Sequence, residues 1–530
     1  MNLTQNLIIS ALSFLGLFAG CPFNQAAGQA PATPTISFGS SAPLLLHFGY
    51  MAPGNTTTQT FQFTGQNITS NLTLTAPDGF ELSKNNTAFS SSIVYTPSES
   101  NNNNEVFIRF RPLQANKGFG GSVSFTATGL TLSRPDLSGS SLPPSLSLDV
   151  VAWNIAWFGS TSNGPTDEDR QQFYASVVMD SLNADLYILQ EIVDTSRLGS
   201  LARSLKNGPY SYVVAPYASL TTTNTNATWR SAQKLAYIYR TQLFTINSVR
   251  GFTNTSTHPN NYYNWASGRF PFLLDAWVTV DGITKRIAFL NLHAKAESGE
   301  LSDYERRRGA AELLYDSVNV VFPTQHVLIA GDYNDDLDET ISSVVPGFSS
   351  PYLKFMNDPV RYNPVSYWNT LRGDNSYIGY PNVIDHSIVS NEMQLDYVPF
   401  SCILRKDAAN WVPFYRTDLT DHYPLQSRFY LRQSAVNQVT ATRDPIAPIR
   451  WVEVLTPAGT EPSVRFLKNM SGPVSIRLFN ANGQLAGQRQ VTAVRSGQLV
   501  PIPRNGPGTG VYILSLTGKE GSFTTKLVLR

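Results

Sequence analysis

Between residues 148 and 431 the chain repeats one pattern that leaves few folds open to it: a short apolar run that stops at a polar residue. The six stops carry, in chain order, Asn154, Glu191, His293, Asp332 with Asn334, Asp385, and Asp421 with His422. Such runs alternate with helix-like segments, which is typical of an α/β domain. Because loops converge where the strands of a layered α/β fold end, we expect these side chains to share one site.

Each stop also has an ordinary explanation. Asp332-Tyr333-Asn334 could form a turn, Asp421-His422 could cap a helix, and Glu191 could end a solvated loop. Six such groups within one domain favour a common site over six unrelated features.

The residue types agree in their chemistry. Carboxylate and amide oxygens suit a hard divalent cation such as Mg²⁺, and two histidines provide acid–base capacity near neutral pH. Asp385 could orient one of these histidines. The sequence has no G-x-S-x-G motif, and Cys402 lies in no nucleophile motif. We therefore expect an activated water molecule to attack a phosphoester.

The composition excludes several other classes of protein. Charged residues make up 15% of the chain and aromatic residues 12%, which excludes a disordered chain because there is ample apolar surface to bury. The two cysteines, Cys21 and Cys402, are too few for a disulfide scaffold or a structural zinc site of the cysteine type. We expect Cys402 to pack in the core.

Charge changes along the chain at two linker-like stretches. Residues 31–147 hold five basic and five acidic residues, residues 148–431 hold 22 and 29, and residues 451–530 hold nine and three. The stretches are Ser133–Ser147 and Gln433–Pro448, and we place domain boundaries there, with residues 432–450 as a linker.

The two flanking regions are predicted to be all-β. Alternating apolar residues recur between turn residues in both, as in Val106-Ile108-Phe110 and Val474-Ile476-Leu478. For residues 31–147 this spacing indicates a β-sandwich of the immunoglobulin type, serving as a spacer or interaction module. Residues 451–530 are predicted to form a second, smaller β-sandwich.

Residues 1–30 are predicted to be a signal peptide. The apolar run Leu7–Gly20 is too short to be a certain membrane span, and small residues follow it up to Ala30. The alternative is cleavage before Cys21, since Leu17–Cys21 resembles a bacterial lipobox. No other segment is apolar enough to cross a membrane.

The central motifs resemble those of the endonuclease/exonuclease/phosphatase superfamily, which includes deoxyribonuclease I. The matching segments cover the whole of 148–431 and occur in the family's order: W-N-I-A-W-F-G (153–159), L-Q-E (189–191), L-H-A-K-A (292–296), G-D-Y-N-D-D (331–336), I-D-H-S-I-V-S (384–390) and D-H-Y-P (421–424). The resemblance implies a four-layered α/β sandwich, flanked here by the two all-β domains.

The resemblance also implies roles for individual residues. Glu191 resembles the main metal ligand, with Asn154 beside it and Asp421 as the neighbouring carboxylate. Asp332 and Asn334 resemble the pair that orients the attacking water and the phosphate. His422 resembles the catalytic histidine supported by Asp385, and His293 resembles the second histidine of the deoxyribonuclease I branch.

Two further positions concern substrate binding. Arg269 matches a phosphate-contacting arginine of that branch, whereas Gln233 stands where these enzymes often have Glu. Gln233 therefore departs from the family pattern: it keeps a polar partner for His293 but lacks the negative charge of Glu. The implied cofactor is Mg²⁺, with Mn²⁺ or Ca²⁺ as alternatives.

The expected activity is hydrolysis of a phosphodiester, with extracellular DNA as the favoured substrate. The His-Ala-Lys-Ala segment at 293–296 resembles secreted nucleases more than the lipid branch. A sphingomyelinase or another phosphoester hydrolase of the same fold is the alternative, and a non-catalytic adhesin is a third reading that the intact set of polar residues disfavours. The loop His258–Trp265 could contact lipid, stack on bases or pack, and Arg306–Arg308 could face phosphate or lie on a solvated helix face.

The end of the chain resembles a second known module. The segments V-S-I-R-L-F-N-A-N-G-Q (474–484) and G-V-Y-I-L-S-L-T-G (510–518), with the basic strand Lys526–Arg530, resemble the C-terminal sorting domain of type IX secretion. That resemblance implies a protein exported across the outer membrane and either released or attached to the cell surface, with the secretion machinery as its partner.

Overall fold

The computed structural model describes residues 32–39 and 45–432 and, near the C-terminus, residues 452–455, 462–466, 472–480, 485–495, 498–503, 510–518 and 521–529. The predicted signal peptide, its Cys21, and residues 433–450 of the predicted linker lie outside the described residues. Among the helices of the described part, none combines the length and the apolar character that a membrane crossing requires.

The N-terminal region is a β-sandwich. Its strands are β1 (Thr35–Phe38), β2 (Leu45–Tyr50), β3 (Thr57–Gln66), β4 (Leu72–Thr75), β5 (Phe80–Ser83), β6 (Ser92–Tyr95), β7 (Asn103–Phe110), β8 (Gly118–Ala127) and β9 (Leu130–Ser140). They form a sheet of order β1-β3-β7-β5 and a sheet of order β2-β9-β8-β4-β6. Alternate apolar residues, such as Phe61 and Phe63 of β3, fill the core between them.

One predicted linker is in fact ordered structure. Residues 133–140 belong to β9, and a 3₁₀ turn (Pro144–Leu146) leads directly into the central domain. The polar and proline residues of this stretch are typical of an exposed loop. Its backbone pairing with β2 and β8 cannot be deduced from composition, so the sequence did not indicate a strand.

The central domain contains twelve strands in two mixed sheets. The strands are β10 (Leu148–Phe158), β11 (Leu186–Ile192), β12 (Tyr210–Val214), β13 (Lys234–Arg240), β14 (Phe244–Gly251), β15 (Phe272–Val280), β16 (Ile283–His293), β17 (His326–Asp332), β18 (Tyr362–Asn363), β19 (Asp385–Ser390), β20 (Ile403–Leu404) and β21 (Leu425–Phe429). The first sheet has the order β12-β13-β11-β10-β21-β20 and the second β14-β15-β16-β17-β19-β18. Two neighbouring pairs, β10 with β11 and β16 with β17, are parallel.

The helices are few and mostly short. They are α1 (Pro97–Ser100) in the sandwich, then α2 (Glu168–Leu182), α3 (Thr195–Ser204), α4 (Ala227–Ser231), α5 (Asn261–Asn264), α6 (Leu301–Val321), α7 (Leu353–Met356), α8 (Tyr367–Leu371), α9 (Asn391–Gln394) and α10 (Tyr415–Asp418), with a second 3₁₀ turn at Lys406–Asn410. Asp167 and Asp194 cap α2 and α3 through hydrogen bonds to backbone N–H groups of their first turns.

The central domain has four layers. One face of β10 and β11, which carries Val151 and Trp153, packs against α2 and α3. The opposite face, which carries Val150 and Ala152, shares a core with the second sheet. Helix α6 joins that core through Ala310, Ala311, Leu314 and Val318. The predicted α/β centre with β-rich flanks is confirmed.

The C-terminal region contains two further sheets among its described residues. Their strands are β22 (Val452–Leu455), β23 (Ser463–Phe466), β24 (Val474–Asn480), β25 (Leu485–Val491), β26 (Leu499–Pro501), β27 (Gly510–Gly518) and β28 (Gly521–Leu529). The sheet orders are β22-β23-β26 and β25-β24-β27-β28. Val464, Ile476, Leu478 and Leu514 lie in their shared core.

Candidate active site

The sequence-predicted residues converge at one end of the two central sheets. The parallel strands β10 and β11 end there, as do β16 and β17, while β19 and β21 begin there in the opposite direction. In the second sheet Asp332 lies opposite His293 on one side and Asp385 on the other. The register of the strands therefore places three of the predicted side chains in one row.

Two of the strands run further than their sequence patterns indicate. Strand β10 continues past Asn154 to Phe158 through an irregularity in its pairing with β11, and β11 continues past Glu191 to Ile192. Ala156, Trp157 and Glu191 have positive φ angles of 35°, 53° and 63°. These local twists bring the Trp157 N–H within 2.9 Å of Glu191 Oε2, to which it donates.

Asn154 joins the two sheets at the centre of the site. Its Nδ2 donates to Glu191 Oε1 over 3.1 Å and to Asp332 Oδ2 over 3.0 Å. The Nε2 atom of His293 lies 3.7 Å from the same Glu191 oxygen and 3.5 Å from the same Asp332 oxygen. One carboxylate from each sheet thus faces a shared space.

His422 is held by Asp385 in a buried pair. The His422 Nδ1 lies 2.8 Å from Asp385 Oδ2, while its Nε2 faces Asp332 Oδ2 at 3.8 Å and Asp421 Oδ1 at 3.9 Å. Burial alone would lower the pKa of His422, but the charge and hydrogen bond of Asp385, with Asp332 and Asp421, raise it to about 10. The imidazole is therefore a proton donor aimed at the Asp332 side.

Three side chains fix the backbone around His422. Trp153 Nε1 and the Tyr415 hydroxyl both donate to the His422 carbonyl, over 3.1 and 2.8 Å. The Thr420 hydroxyl donates to the Asn154 carbonyl over 2.7 Å and accepts from the His422 N–H. These contacts set the distance between the Asn154 strand and the histidine loop.

His293 is oriented by Arg269. Arg269 Nη1 donates to His293 Nδ1 over 3.1 Å, and since an arginine can only donate, the His293 proton is on Nε2, facing Asp332 and Glu191. Burial, followed by the charges of Arg269 and His422, lowers the pKa of His293 well below its usual value. Burial lowers the pKa of Arg269 to about 10, against the opposing effect of Glu191 and Asp332.

Gln233 does not contact His293, contrary to the expectation from the sequence. Its Oε1 accepts from Arg269 Nη1 over 2.6 Å, so the arginine stands between the two residues. Arg269 Nη2 donates to the Ala294 carbonyl over 2.7 Å. The residue at 233 thus orients Arg269 and reaches the histidine only through it.

Asn334 lies at the rim formed by the loop after β17. Its N–H donates to Asp332 Oδ1 over 2.9 Å, and its Nδ2 donates to the Ala294 carbonyl over 3.2 Å. Gly331 makes this turn possible, because its φ is +140° and a Cβ there would lie 2.2 Å from the Leu292 carbonyl oxygen.

The carboxylates of the site are suited to a divalent cation. Burial, partly offset by His422 and Asn154, raises the pKa of Asp332 to about 7, and burial raises that of Glu191 as well. Asp385 Oδ1 is buried without a hydrogen-bond partner among the described residues. Mg²⁺ prefers hard oxygen donors, and its charge stabilises carboxylates that are costly to ionise when buried. Glu191 and Asp332 therefore fit this ion.

Two sets of donors are candidates for holding that ion. Asp332, Asp385 and His422 offer ligand atoms within 4.8 Å of one another. However, His422 Nδ1 and Asp385 Oδ2 are already engaged with each other, over 2.8 Å. We therefore favour the side where Glu191 and Asp332 face each other across Asn154, with the more exposed Asp421 nearby.

Other residues of the site carried no recognisable sequence signal. The ring of Tyr377 packs edge-on against His422 with 5.0 Å between centroids. Gln171 of α2 donates to the carbonyls of Ile155, Ala156 and Leu419 and accepts from the Gly159 N–H. Both lie in segments whose local pattern is that of an ordinary loop or helix, so only the tertiary contacts reveal them.

Of the two candidate substrate segments, only the arginine segment 306–308 differs from expectation. Arg306 and Arg307 are buried: Arg306 donates to the Tyr263 carbonyl and Arg307 pairs with Glu297 and Asp335. They are structural, and of the three arginines only Arg308 is exposed. In the loop 258–265, Trp265 packs in the core, whereas Tyr262 and Tyr263 are 40% and 47% exposed.

Comparison with known proteins gives only distant likenesses. No protein-family model and no curated protein matches the chain. Among solved structures, an endonuclease/exonuclease/phosphatase from Bacteroides vulgatus is 13% identical, covering 54% of this chain and 99% of its own, with a TM-score of 0.39. The human Nocturnin catalytic domain with bound sulfate is 16% identical, covering 54% and 95%, with a TM-score of 0.36. The mannosyl-6-phosphatase Bt3783 of Bacteroides thetaiotaomicron is 15% identical, covering 53% and 98%, with a TM-score of 0.36. Identities this low leave the chemistry of this chain to its own side chains.

Proposed function

We propose that the chain is a divalent-metal-dependent phosphodiesterase. The observation that carries this proposal is the placement of Glu191 and Asp332, which both accept from Asn154 Nδ2, beside the buried Asp385–His422 pair. A phosphoester needs its negative charge neutralised, a water deprotonated and a leaving oxygen protonated. The site offers a group for each of these needs.

Each side chain of the site has a separate role in the proposed reaction. Asp332 Oδ2 accepts a proton from the attacking water, since it is the carboxylate oxygen shared by Asn154, His293 and His422. His422 Nε2 carries a proton directed toward the same space and protonates the leaving oxygen, while His293 Nε2 donates a hydrogen bond to a phosphate oxygen. Asn334 holds the loop after β17 in place, and Arg269 orients His293. A divalent cation bound at Glu191, with Asp421 nearby, would neutralise phosphate charge.

The substrate we propose is nucleic acid, with DNA preferred and RNA as a second substrate. The central domain has 22 basic and 29 acidic residues, a net charge of −7, so the phosphate attraction must come from the cation and from local groups such as Arg269 and Arg308. The exposed Tyr262 and Tyr263 offer rings on which bases can stack. The same two rings favour a membrane lipid phosphodiester as the second candidate.

A direct assay separates these substrates. The full chain is incubated with plasmid DNA, RNA and sphingomyelin vesicles, with EDTA and then with Mg²⁺, Mn²⁺ or Ca²⁺ added back. We expect EDTA to abolish hydrolysis and Mg²⁺ or Mn²⁺ to restore it. Hydrolysis that is undiminished in EDTA would contradict the metal assignment, and turnover of sphingomyelin alone would contradict the nuclease assignment.

Two variants test the site itself. Glu191→Gln removes a carboxylate charge, and His422→Ala removes the proton donor, so each is expected to lower kcat by about 100-fold or more. Glu305→Gln, at an exposed position of α6, is the matched control and is expected to keep full activity. Near-native turnover in either site variant would remove that residue from the mechanism.

We further propose that the protein is exported and that residues 451–530 direct the export. This proposal is supported by the likeness of the C-terminal segments to a type IX sorting domain. It is also supported by their basic balance, nine basic against three acidic residues.

A further inference from the structure

The N-terminal sandwich is docked closely on the central domain through β8 and β9. The Ser138 hydroxyl of β9 donates to the Phe400 carbonyl over 2.7 Å. Gly118 and Gly120 of β8 allow the approach: a Cβ at Gly118 would lie 2.3 Å from the Pro399 carbonyl oxygen, and one at Gly120 would lie 2.4 Å from Phe400 Cγ. Only glycine fits at these two positions of β8, so the strand and the segment 399–400 are closely packed.

The same strand β9 also reaches a buried arginine of the central domain. Asp136 Oδ2 lies 3.7 Å from Arg372 Nη1, and Arg134 Nη2 donates to the Arg372 carbonyl over 3.2 Å. Arg372 is only 6% exposed, and its guanidinium lies 4.3 Å from the ring centroid of Trp368. The Trp368 ring in turn packs edge-on against Phe400, so both docking contacts meet at one place.

From Arg372 a chain of hydrogen bonds runs along the loop 372–377. Arg372 Nε and Nη2 donate to Asp374 Oδ2 over 3.1 and 2.9 Å. The other Asp374 oxygen accepts from the Asn375 N–H over 3.0 Å and from Lys406 Nζ. Asn375 Nδ2 then donates to the Tyr377 carbonyl over 2.8 Å. Arg372, Asp374, Asn375 and Tyr377 are thereby linked in series.

The far end of this loop contacts the Asp385–His422 pair. The Ser376 hydroxyl oxygen accepts from the Ile384 and Asp385 N–H groups over 2.8 and 3.0 Å. The Tyr377 ring lies 5.0 Å from the His422 ring at an interplanar angle of 84°. The loop thus fixes the backbone of one member of the pair and the ring plane of the other.

We propose that the N-terminal sandwich is a positioning element of the catalytic centre, acting through Asp136, Arg372 and the loop 372–377 on the Asp385–His422 pair. Arg372 is a positioning residue, since it touches neither the pair nor the space that substrate would enter. A buried guanidinium that loses one of its carboxylates seeks another arrangement, and the loop that it anchors moves with it. The catalytic part of this inference rests on the proposed function, whereas the geometric part does not.

The test uses the full chain and four variants: Asp136→Asn, Arg372→Met, the double variant, and Gly120→Leu, which crowds Phe400 and, within the sandwich, the Leu137 carbonyl. Glu105→Gln, at an exposed position of β7, is the matched control. Two quantities are measured: kcat and KM on the substrate that the chain hydrolyses, and the downfield ¹H NMR signal of the His422 Nδ1 proton, assigned by its loss in His422→Ala.

We expect Asp136→Asn and Gly120→Leu to lower kcat by about tenfold, the lower end of what orienting partners contribute, with KM within about twofold. The double variant is expected to match Arg372→Met alone, because both changes act on one path. The NMR signal is expected to shift or broaden in every variant except the control. If no tested phosphoester is hydrolysed, the proposed function fails, and the NMR signal still decides the positioning role. An unchanged signal and unchanged kcat in Asp136→Asn, even with a lower melting temperature, would overturn the inference.

Discussion

Glu191 shows how much of the centre depends on a single side chain. Glu191 has a φ of +63°, a backbone conformation that costs a non-glycine residue about 1–3 kcal/mol. It persists because the Asn154 amide and the Trp157 N–H both hold its carboxylate. These two hydrogen bonds therefore fix the direction in which the Glu191 carboxylate points.

Gln233 gives a prediction at the same level. Its only role in the site is to accept from Arg269 Nη1, so Gln233→Leu leaves that buried donor with His293 alone. We expect kcat/KM to fall by about tenfold, as for loss of an orienting partner. Gln233→Glu keeps an acceptor at this place and is expected to retain most of the activity. Equal loss in both variants, measured by steady-state kinetics, would contradict this role.

The sequence predicted the convergence of these residues better than their hydrogen-bond partners. Strand ends bring Glu191, His293, Asp332, Asp385 and His422 together because a sheet aligns the ends of its strands. Which side chain reaches Gln233 depends on the path of the loop that carries Arg269. No local periodicity encodes that path.

Helix α2 and strand β10 show how an element away from the site shapes it. Gln171 holds the twisted end of β10 with three donated hydrogen bonds, two to Ile155 and Ala156 and one to Leu419, and with one bond accepted from Gly159. The twist in turn presents the Trp157 N–H to Glu191.

Gln171→Leu is expected to destabilise the fold and weaken catalysis together. Leucine keeps the volume but leaves the Gly159 N–H and three carbonyls without this partner, at a cost of about 1–3 kcal/mol. We expect a lower urea midpoint and a several-fold lower kcat, with Gln172→Leu on the next position of the same helix as the control. A stable variant with full activity would show that water replaces the side chain.

Three strands of the second sheet are joined by Asp275 of β15. It accepts from Arg286 of β16 over 2.9 and 2.6 Å and from Asn247 of β14 over 2.6 Å. The Arg286 hydrogen bonds, against the effect of burial and with help from Asn247, lower the pKa of Asp275. A carboxylate with a lowered folded-state pKa adds stability above its unfolded pKa of about 3.9, and that stability is lost as the pH falls through the folded value.

The resulting prediction concerns pH. At pH 7 Asp275→Asn is expected to have a lower urea midpoint than the unsubstituted chain. As the pH falls below about 4 the two midpoints should begin to converge, and they should meet only once the pH is below the lowered folded-state pKa, where the carboxylate of the folded chain is protonated as well. Asp281→Asn, in the exposed turn between β15 and β16, is the control. A difference that stays constant from pH 7 to pH 3 would exclude an ionic contribution.

The strands themselves were more predictable than their ends. Apolar runs identify the cores of β10, β11, β16 and β17 because buried parallel strands need apolar residues on both faces. The continuation of β10 beyond Asn154 runs through residues with positive φ, which the pattern cannot show. Likewise Arg306 and Arg307 have the composition of an exposed helix face, and only their buried partners, Tyr263, Glu297 and Asp335, place them in the interior.

The complete chain gives one prediction about its modules. Every strand-end residue of the site lies between Asn154 and His422, so removal of residues 433–530 is expected to leave kcat and KM within about twofold of the full chain. In the native host, deletion of residues 451–530 alone is expected to keep the protein inside the outer membrane. Its normal appearance in the medium, measured by immunoblot, would contradict the sorting role.

The β-rich character of the flanking regions was predictable from alternation, but the docking of the N-terminal sandwich on the central domain was not. The alternating residues of β3 and β7 indicate a sandwich core between residues 31 and 147. The contact of Gly120 with Phe400 joins residues 280 positions apart and depends on the shapes of two surfaces. For this reason the stretch 133–147 resembled a linker in the sequence.

Each central sheet supplies only part of the candidate centre. Asn154, Glu191 and His422 belong to the first sheet or the loop that enters it, whereas His293, Asp332 and Asp385 belong to the second, which residues 244–390 build alone. A chain in which one sheet has formed without the other has Glu191 without Asp332 and His422 without Asp385. Such a chain lacks both the pair of facing carboxylates and the hydrogen bond that orients the histidine. Under the proposed function, a newly made or partly unfolded copy therefore cannot hydrolyse phosphoesters until both sheets have formed and packed together.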